Sequence, residues 1–194
     1  LALAETIGAI PVITTATDIN KKFSVDAWAA RKGLVIASLS RAKAVSAAIL
    51  EQNVPLKSDF SIVTNLPNGV VLADSGDVGI RISVFKDEPY ERTLRLIPKV
   101  LHLGIGCRKG TERSAIKEAV DVVLKDNNID YRAIKCVASI DLKKEEPGLL
   151  EFCAEQKLPV QFYTAGELKA VPGDFSPSEF VKIGFILTFS MHLS

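Results

Sequence analysis

The residues best placed to do chemistry lie between Val100 and Lys117, in the run VLHLGIGCRKGTERSAIK. An apolar alternation (Val100, Leu101, Leu103, Ile105) predicts a strand that runs into Gly104 and Gly106. Cys107, Arg108 and Lys109 follow, then Gly110, then a helix starting near Thr111. A strand that ends in a glycine-rich turn and feeds a helix presents free backbone N–H groups. Arg108 and Lys109 add fixed positive charge at the same place. This is an anion-binding device, and a carboxylate suits it, because a guanidinium can grip both carboxylate oxygens. The bland alternative is that Arg108 and Lys109 merely solvate a loop. The spacing Gly104-x-Gly106-x-x-x-Gly110 is one residue too long for a dinucleotide turn. No Gly-Lys-Ser/Thr follows, so it is not a P-loop either.

Other reactive residues are fewer. Asp141 ends a predicted strand, where a carboxylate can take a proton from water, hold polar substrate groups, or simply cap the turn. Glu145 and Glu146 follow in the loop and are expected to face solvent, and Glu167 sits after the next strand. Cys107 lies at a helix start beside two cations, a setting that lowers a thiol pKa. Its motif holds no histidine, so a small residue packed in a turn is the expected role. Cys136 and Cys153 read as core. His102, between Leu101 and Leu103, reads as a hydrogen-bonded structural histidine. Thr14, Thr15, Thr17 and Asp18 close an earlier strand and either bind substrate polar groups or make its turn. No metal-ligand cluster is evident.

The elements that must position these residues can be read from periodicity. Leu1–Gly8 reads as the end of a helix and Ala9–Thr15 as a strand, so the chain looks like a fragment that has lost its beginning. Ser24 caps a short helix to Arg31, and Ser40–Gln52 is a second helix with Ala44, Val45, Ala48 and Ile49 on one face. Short β-type runs follow at Ser61–Thr64, Gly69–Leu72 and Gly79–Phe85, then a linker at Asp87–Tyr90 and a strand at Thr93–Ile97.

From Pro98 the pattern alternates: strand 100–105, helix 111–125, strand 134–140, helix 147–156, strand 160–163 and a short helix near Ala165. Ser176-Pro177-Ser178-Glu179 fits a capping box. The fold class is therefore α/β: a C-terminal three-layer domain with a mostly parallel sheet, preceded by a small α/β middle region and the tail end of a further domain. Loops 104–111, 140–146 and 164–167 would share one sheet edge, the usual binding edge. Gly184–Ser194, GFILTFSMHLS, is either a short buried strand or sequence foreign to the domain before it; the foreign reading is favoured.

Composition narrows the function classes. A formal net charge of +1 gives no electrostatic case for nucleic acid or an anionic membrane. No run reaches the roughly 18 apolar residues of a membrane span. Three scattered cysteines suggest reduced thiols and a cytoplasmic location.

Four motifs, in order, carry a family resemblance: GAIPVITTATD (8–18), GIGCRKGT (104–111), ASIDLKKEEPGL (138–149), and LPVQFYTAGEL with VPGDFSPSEFV (158–168 and 171–181). They resemble the cobalamin biosynthesis protein CbiG, and the C-terminal ones are also similar to CobE. The resemblance divides the chain into residues 1–36, the end of a truncated N-terminal domain; 37–97, a middle region; 98–183, the C-terminal domain; and 184–194, an anomalous tail. It implies a cobalt-precorrin-5A hydrolase of the anaerobic route to vitamin B12. Such an enzyme opens the δ-lactone of a ring-contracted cobalt-tetrapyrrole and releases acetaldehyde by breaking a carbon–carbon bond.

No cofactor is implied, the cobalt being carried by the substrate. The partners would be that substrate and other enzymes of the corrin pathway. On this reading Asp141 is catalytic. Gly104, Gly106, Cys107, Arg108, Lys109, Gly110, Thr111, Glu167, Thr15 and Asp18 bind substrate. A non-catalytic, CobE-like tetrapyrrole-binding module is the alternative. Either role requires the strand edge at Gly106–Thr111 to be open.

Overall fold

The computed structural model describes residues 24–62, 66–170 and 184–189. The motif at 8–18, with Thr15 and Asp18, lies outside them, as does the capping box at 176–179.

Two mixed α/β sheets with mostly parallel strands make up the described fold, as the alternation of elements implies. The first has the order β1-β5-β4-β2-β3. Its strands are β1 (Leu34–Ile36), β2 (Val54–Ser58), β3 (Val70–Leu72), β4 (Val78–Ile82) and β5 (Arg92–Pro98). Only β1 runs antiparallel to its neighbour, β5. Helix α1 (Val25–Arg31) packs on β1, and α2 (Leu39–Glu51) lies across β2, β4 and β5 with Ala42, Val45 and Ile49 buried. Ser24 occupies the N-cap position of α1, but its side chain makes no capping bond; Ser38 does cap α2, accepting from the Arg41 amide.

Several local expectations change here. Val25–Ile36, grouped by sequence with the preceding domain, contribute α1 and β1 to this sheet. Ser61 and Ile62 lie in no strand, and residues 63–65 are outside the described set. The strand of this stretch is instead β2, whose Pro55 reads in sequence as a helix stop. Proline is tolerated because β4 pairs only from Leu56 onward, so no partner on that side asks for the missing N–H.

The second sheet has the order β8-β7-β6-β9, with β6 (Leu101–Gly106), β7 (Ile134–Ile140) and β8 (Val160–Tyr163) parallel. Helix α3 (Arg113–Asp126) links β6 to β7, and α4 (Pro147–Glu155) links β7 to β8. Ile116, Val120 and Leu124, spaced by four, form the buried stripe of α3; Leu149, Phe152 and Cys153 do the same for α4. Helix α5 (Ala165–Ala170) follows β8. Gly184–Phe189, from the tail favoured as foreign sequence, is strand β9. It pairs antiparallel with β6 from Gly106↔Gly184 to Leu101↔Phe189. Its apolar β-branched and aromatic run is a sound strand former. No helix among the described residues is long and apolar enough to cross a membrane.

The sheets meet at the turn 127–133. The Asp130 amide donates to the Val84 carbonyl, the Lys86 amide to Asn128, and Val100 to Ala133. Asp130 accepts from Arg95 and Arg132, and Arg132 also reaches the Ala37 carbonyl. A single apolar core runs through both sheets, from Val25 to Cys153.

Candidate anion-binding site at the ends of the parallel strands

The C-terminal ends of β6, β7 and β8 lie side by side, so the loops after Gly106, Ile140 and Tyr163 share one edge. Gly104 and Gly106 are not turn residues. They are extended positions of β6, on the face opposite Leu101, Leu103 and Ile105. Gly110 alone supplies the turn: its φ of +76° is the left-handed conformation that favours glycine. The Thr111 amide and hydroxyl both donate to the Arg108 carbonyl, at 3.3 and 2.9 Å. Arg108–Thr111 is therefore a four-residue turn with a type II signature, Lys109 second and Gly110 third. Because Thr111 is spent on closing it, α3 starts at Arg113 rather than at Thr111.

The side chains of Arg108 and Lys109 project from this turn. Both are exposed, and no ion pair among the described residues engages them. The expected row of free amides is partly filled, however. Glu146, expected in solvent, is buried with only 6% of its side chain exposed. Its Oε1 accepts from the Gly110 amide at 2.6 Å and its Oε2 from Lys143 Nζ at 3.2 Å. The Gly110 N–H, with Lys143 and Lys109, holds its carboxyl below the usual carboxylate range against the opposing effect of burial. The local sequence explains the placement. Pro147 opens α4 and restricts the residue before it to extended backbone, so Glu146 turns off the helix axis (φ −80°, ψ 106°).

An open hollow of about 390 Å³ lies over the abutting first turns of α3 and α4, lined by Gly110, Thr111 and Arg113 together with three carboxylates, Glu112, Glu146 and Glu151. That lies toward the small end of ligand sites, about 300–1,000 Å³. With three carboxylates and one guanidinium on its walls it does not suit a further anion, so the anion-binding surface is the exposed Arg108–Lys109 pair outside it.

Asp141 begins a short 3-10 turn (Asp141–Lys143) at the end of β7. It is half-buried, and its carboxylate has no hydrogen-bond partner among the described residues. Leu142 beside it is 83% exposed, an apolar side chain on the same edge. Glu145 faces solvent as expected. Glu167 is committed locally: its carboxylate accepts from the Thr164 amide and hydroxyl at 2.7 and 2.8 Å, and the Thr164 hydroxyl accepts from the Glu167 amide. This reciprocal capping box starts α5, and the Thr164 amide holds the Glu167 carboxyl below its ordinary range. His102 is half-buried with no side-chain hydrogen bond among the described residues.

Cys107 is buried, and burial pushes its thiol up; nearby Lys143 opposes the rise and Glu146 adds to it. A raised thiol is a poor nucleophile, so the packed role is the one the geometry supports. We expect the native protein to leave Cys107 unalkylated by iodoacetamide over a period that fully labels the urea-unfolded chain. Mass spectrometry of the Cys107 peptide measures this, and rapid native labelling would restore the nucleophile.

Sequence reasoning missed Glu146 and Lys143. The available signal was a carboxylate immediately before Pro-Gly at a helix start.

Residues 101–185 match the family model described as cobalamin synthesis G C-terminus. A cobalt-precorrin-5A hydrolase of Priestia megaterium is 28% identical over 193 residues, covering 87% of this chain and 50% of that protein. One from Salmonella typhimurium is 30% identical over 194 residues, covering 93% and 55%. Protein CobE of a Sinorhizobium species is 32% identical over 82 residues, covering 42% of this chain and 53% of CobE. Along its central and C-terminal parts the chain is thus similar to cobalamin synthesis protein G, and it spans about half the length of the curated cobalt-precorrin-5A hydrolases it matches.

Proposed function

We propose that this chain is the central and C-terminal part of a cobalt-precorrin-5A hydrolase, acting in cobalamin biosynthesis by the anaerobic route, in the cytoplasm. The similarity to proteins of that name supports the reading. At the site, the observation that carries it is the exposed Arg108–Lys109 pair, unpaired among the described residues, on the turn that follows β6. A ring-contracted cobalt-tetrapyrrole bears acetate and propionate arms. These arms meet Arg108 and Lys109, and the exposed Leu142 touches the apolar rim of the ring.

In the reaction, water adds to the lactone carbonyl carbon. The ring C–O bond breaks and the departing oxygen takes up a proton. That hydroxyl then gives up its proton, its C–O bond becomes the aldehyde C=O as the adjacent carbon–carbon bond breaks, and the electron pair left on the macrocycle takes up a proton, releasing acetaldehyde. Asp141 is the residue proposed to take the proton from water: it stands half-buried at the strand end with its carboxylate unengaged among the described residues. Cobalt enters as part of the substrate. Other corrin-pathway enzymes would supply the lactone and receive the opened product, and neither nucleic acid nor membrane has a part.

The full-length protein carrying this chain is expected to release acetaldehyde in step with consumption of cobalt-precorrin-5A. Absence of acetaldehyde would end the hydrolase reading. The similarity to CobE favours a second one, a module that binds the tetrapyrrole without turning it over. Binding of cobyrinic acid, a corrin with free carboxylate arms, tests the site common to both. Arg108→Glu should weaken it about tenfold or more, since one charged hydrogen bond contributes about 1.5–3 kcal/mol and about 1.4 kcal/mol is tenfold. Unchanged affinity in a calorimetric titration would remove the site from Arg108.

A further inference from the structure

Building on the tetrapyrrole reading, we propose that Glu146 is a positioning residue: an internal carboxylate that holds the Arg108–Thr111 turn in the shape that presents Arg108 and Lys109 to a substrate carboxylate. Three observations carry it. Glu146 is buried, yet it is tied to a turn 36 positions earlier in the chain through the Gly110 amide. Gly110 has a left-handed φ and no side chain of its own, and beside the Thr111 bonds that close the turn from within, Glu146 is the contact that ties it to the next loop. And the second oxygen of Glu146 neutralises Lys143, while Arg108 and Lys109 on the turn it anchors stay exposed and outside any ion pair among the described residues.

The arrangement also sets what the substrate can use. The Gly110 and Thr111 amides of the turn are already satisfied by the protein, so an incoming carboxylate is gripped by side chains rather than by these backbone groups. Losing Glu146 would loosen the turn, expose the Gly110 N–H and release Lys143.

The test uses the full chain and a double-mutant cycle. Affinities for cobyrinic acid and for citrate, a small polycarboxylate, are measured for the native protein, Glu146→Gln, Glu146→Ala, Arg108→Ala/Lys109→Ala and the combined variant. We expect Glu146→Ala to weaken binding about tenfold. Glu146→Gln, which keeps an oxygen for the Gly110 amide, should fall between it and the native protein. In the Arg108→Ala/Lys109→Ala background, Glu146→Ala should add little, because residues acting as a unit are not additive.

The amide proton of Gly110 supplies an independent signature. It should exchange slowly with solvent in the native protein, at an intermediate rate in Glu146→Gln and fast in Glu146→Ala. Additive losses, native-like affinity in Glu146→Ala, or a Gly110 amide indifferent to both substitutions overturns the proposal. If Glu146→Ala does not fold, Glu146→Gln carries the same comparison. Citrate binding with no corrin binding sinks the tetrapyrrole reading while the cycle still decides Glu146; binding of neither sinks both.

Discussion

Alanine in place of Gly148 is expected to destabilise the fold by about 3 kcal/mol, at the upper end of overpacking. A Cβ there would stand 2.1 Å from the Thr111 carbonyl oxygen and 3.0 Å from the Arg113 amide nitrogen, both backbone atoms of the segment that starts α3. Backbone cannot rotate aside as a side chain can. Relief requires α4 to retreat from α3, which strains the Arg113–Glu155 ion pair and loosens Leu149 and Phe152 in the core. The prediction is sharp because its sign is unusual: alanine within a helix ordinarily gains roughly 0.5–1 kcal/mol over glycine. A urea midpoint unchanged or raised in Gly148→Ala would show that the two helices do not meet as described. The same retreat would pull Glu146 from Gly110, so a folded Gly148→Ala protein should also bind cobyrinic acid less well.

The second large effect belongs to Asp130, whose carboxylate is 6% exposed and accepts from Arg95 and Arg132 at 2.8 Å each. Asp130→Ala is expected to lower stability by about 3 kcal/mol, because the Arg95 and Arg132 guanidiniums lose their shared buried partner and Arg95 keeps only the longer pairing with Glu88 among the described residues. The loss should also change the pH profile. Burial opposes ionisation of Asp130, but the bonds from Arg132 and Arg95 outweigh it and hold the carboxyl well below its usual range. A depressed folded value means that the stabilisation is complete above the unfolded value, about 3.9, and drains away as pH falls below it. Native stability should therefore drop more steeply below about pH 4 than that of Asp130→Ala. Parallel acid profiles in chemical denaturation would contradict this account of the sheet junction.

The C-terminal alternation was legible because strand and helix periods there are undisturbed. Ile134–Ile140 and Val160–Tyr163 are strands with the predicted limits, and the helix starting at Pro147 follows from proline at its first position. Elements fixed by distant partners were not legible. β1 is three residues long and is a strand because β5, some sixty residues later, pairs with it. β2 hides behind Pro55, which is harmless only because of where β4 begins. At the site, the type and place of Arg108, Lys109 and Gly110 could be read from spacing. That Glu146 would sink beneath them could not, since a carboxylate in an EEPG run is normally solvated. The bonds between Glu167 and Thr164 follow a T-x-x-E spacing, a capping signature present in the sequence itself.

Strand β9 bears on how the chain is made. Its partner β6 lies about eighty residues earlier, so their pairing closes a long loop and comes late in folding. During synthesis β6 emerges from the ribosome well before residues 184–189. Until they arrive, one flank of the strand that leads into the Arg108 turn offers its bare hydrogen-bonding groups to any neighbouring polypeptide. A nascent or clipped molecule ending before Gly184 would be sticky along that flank and prone to pair with a second copy of itself.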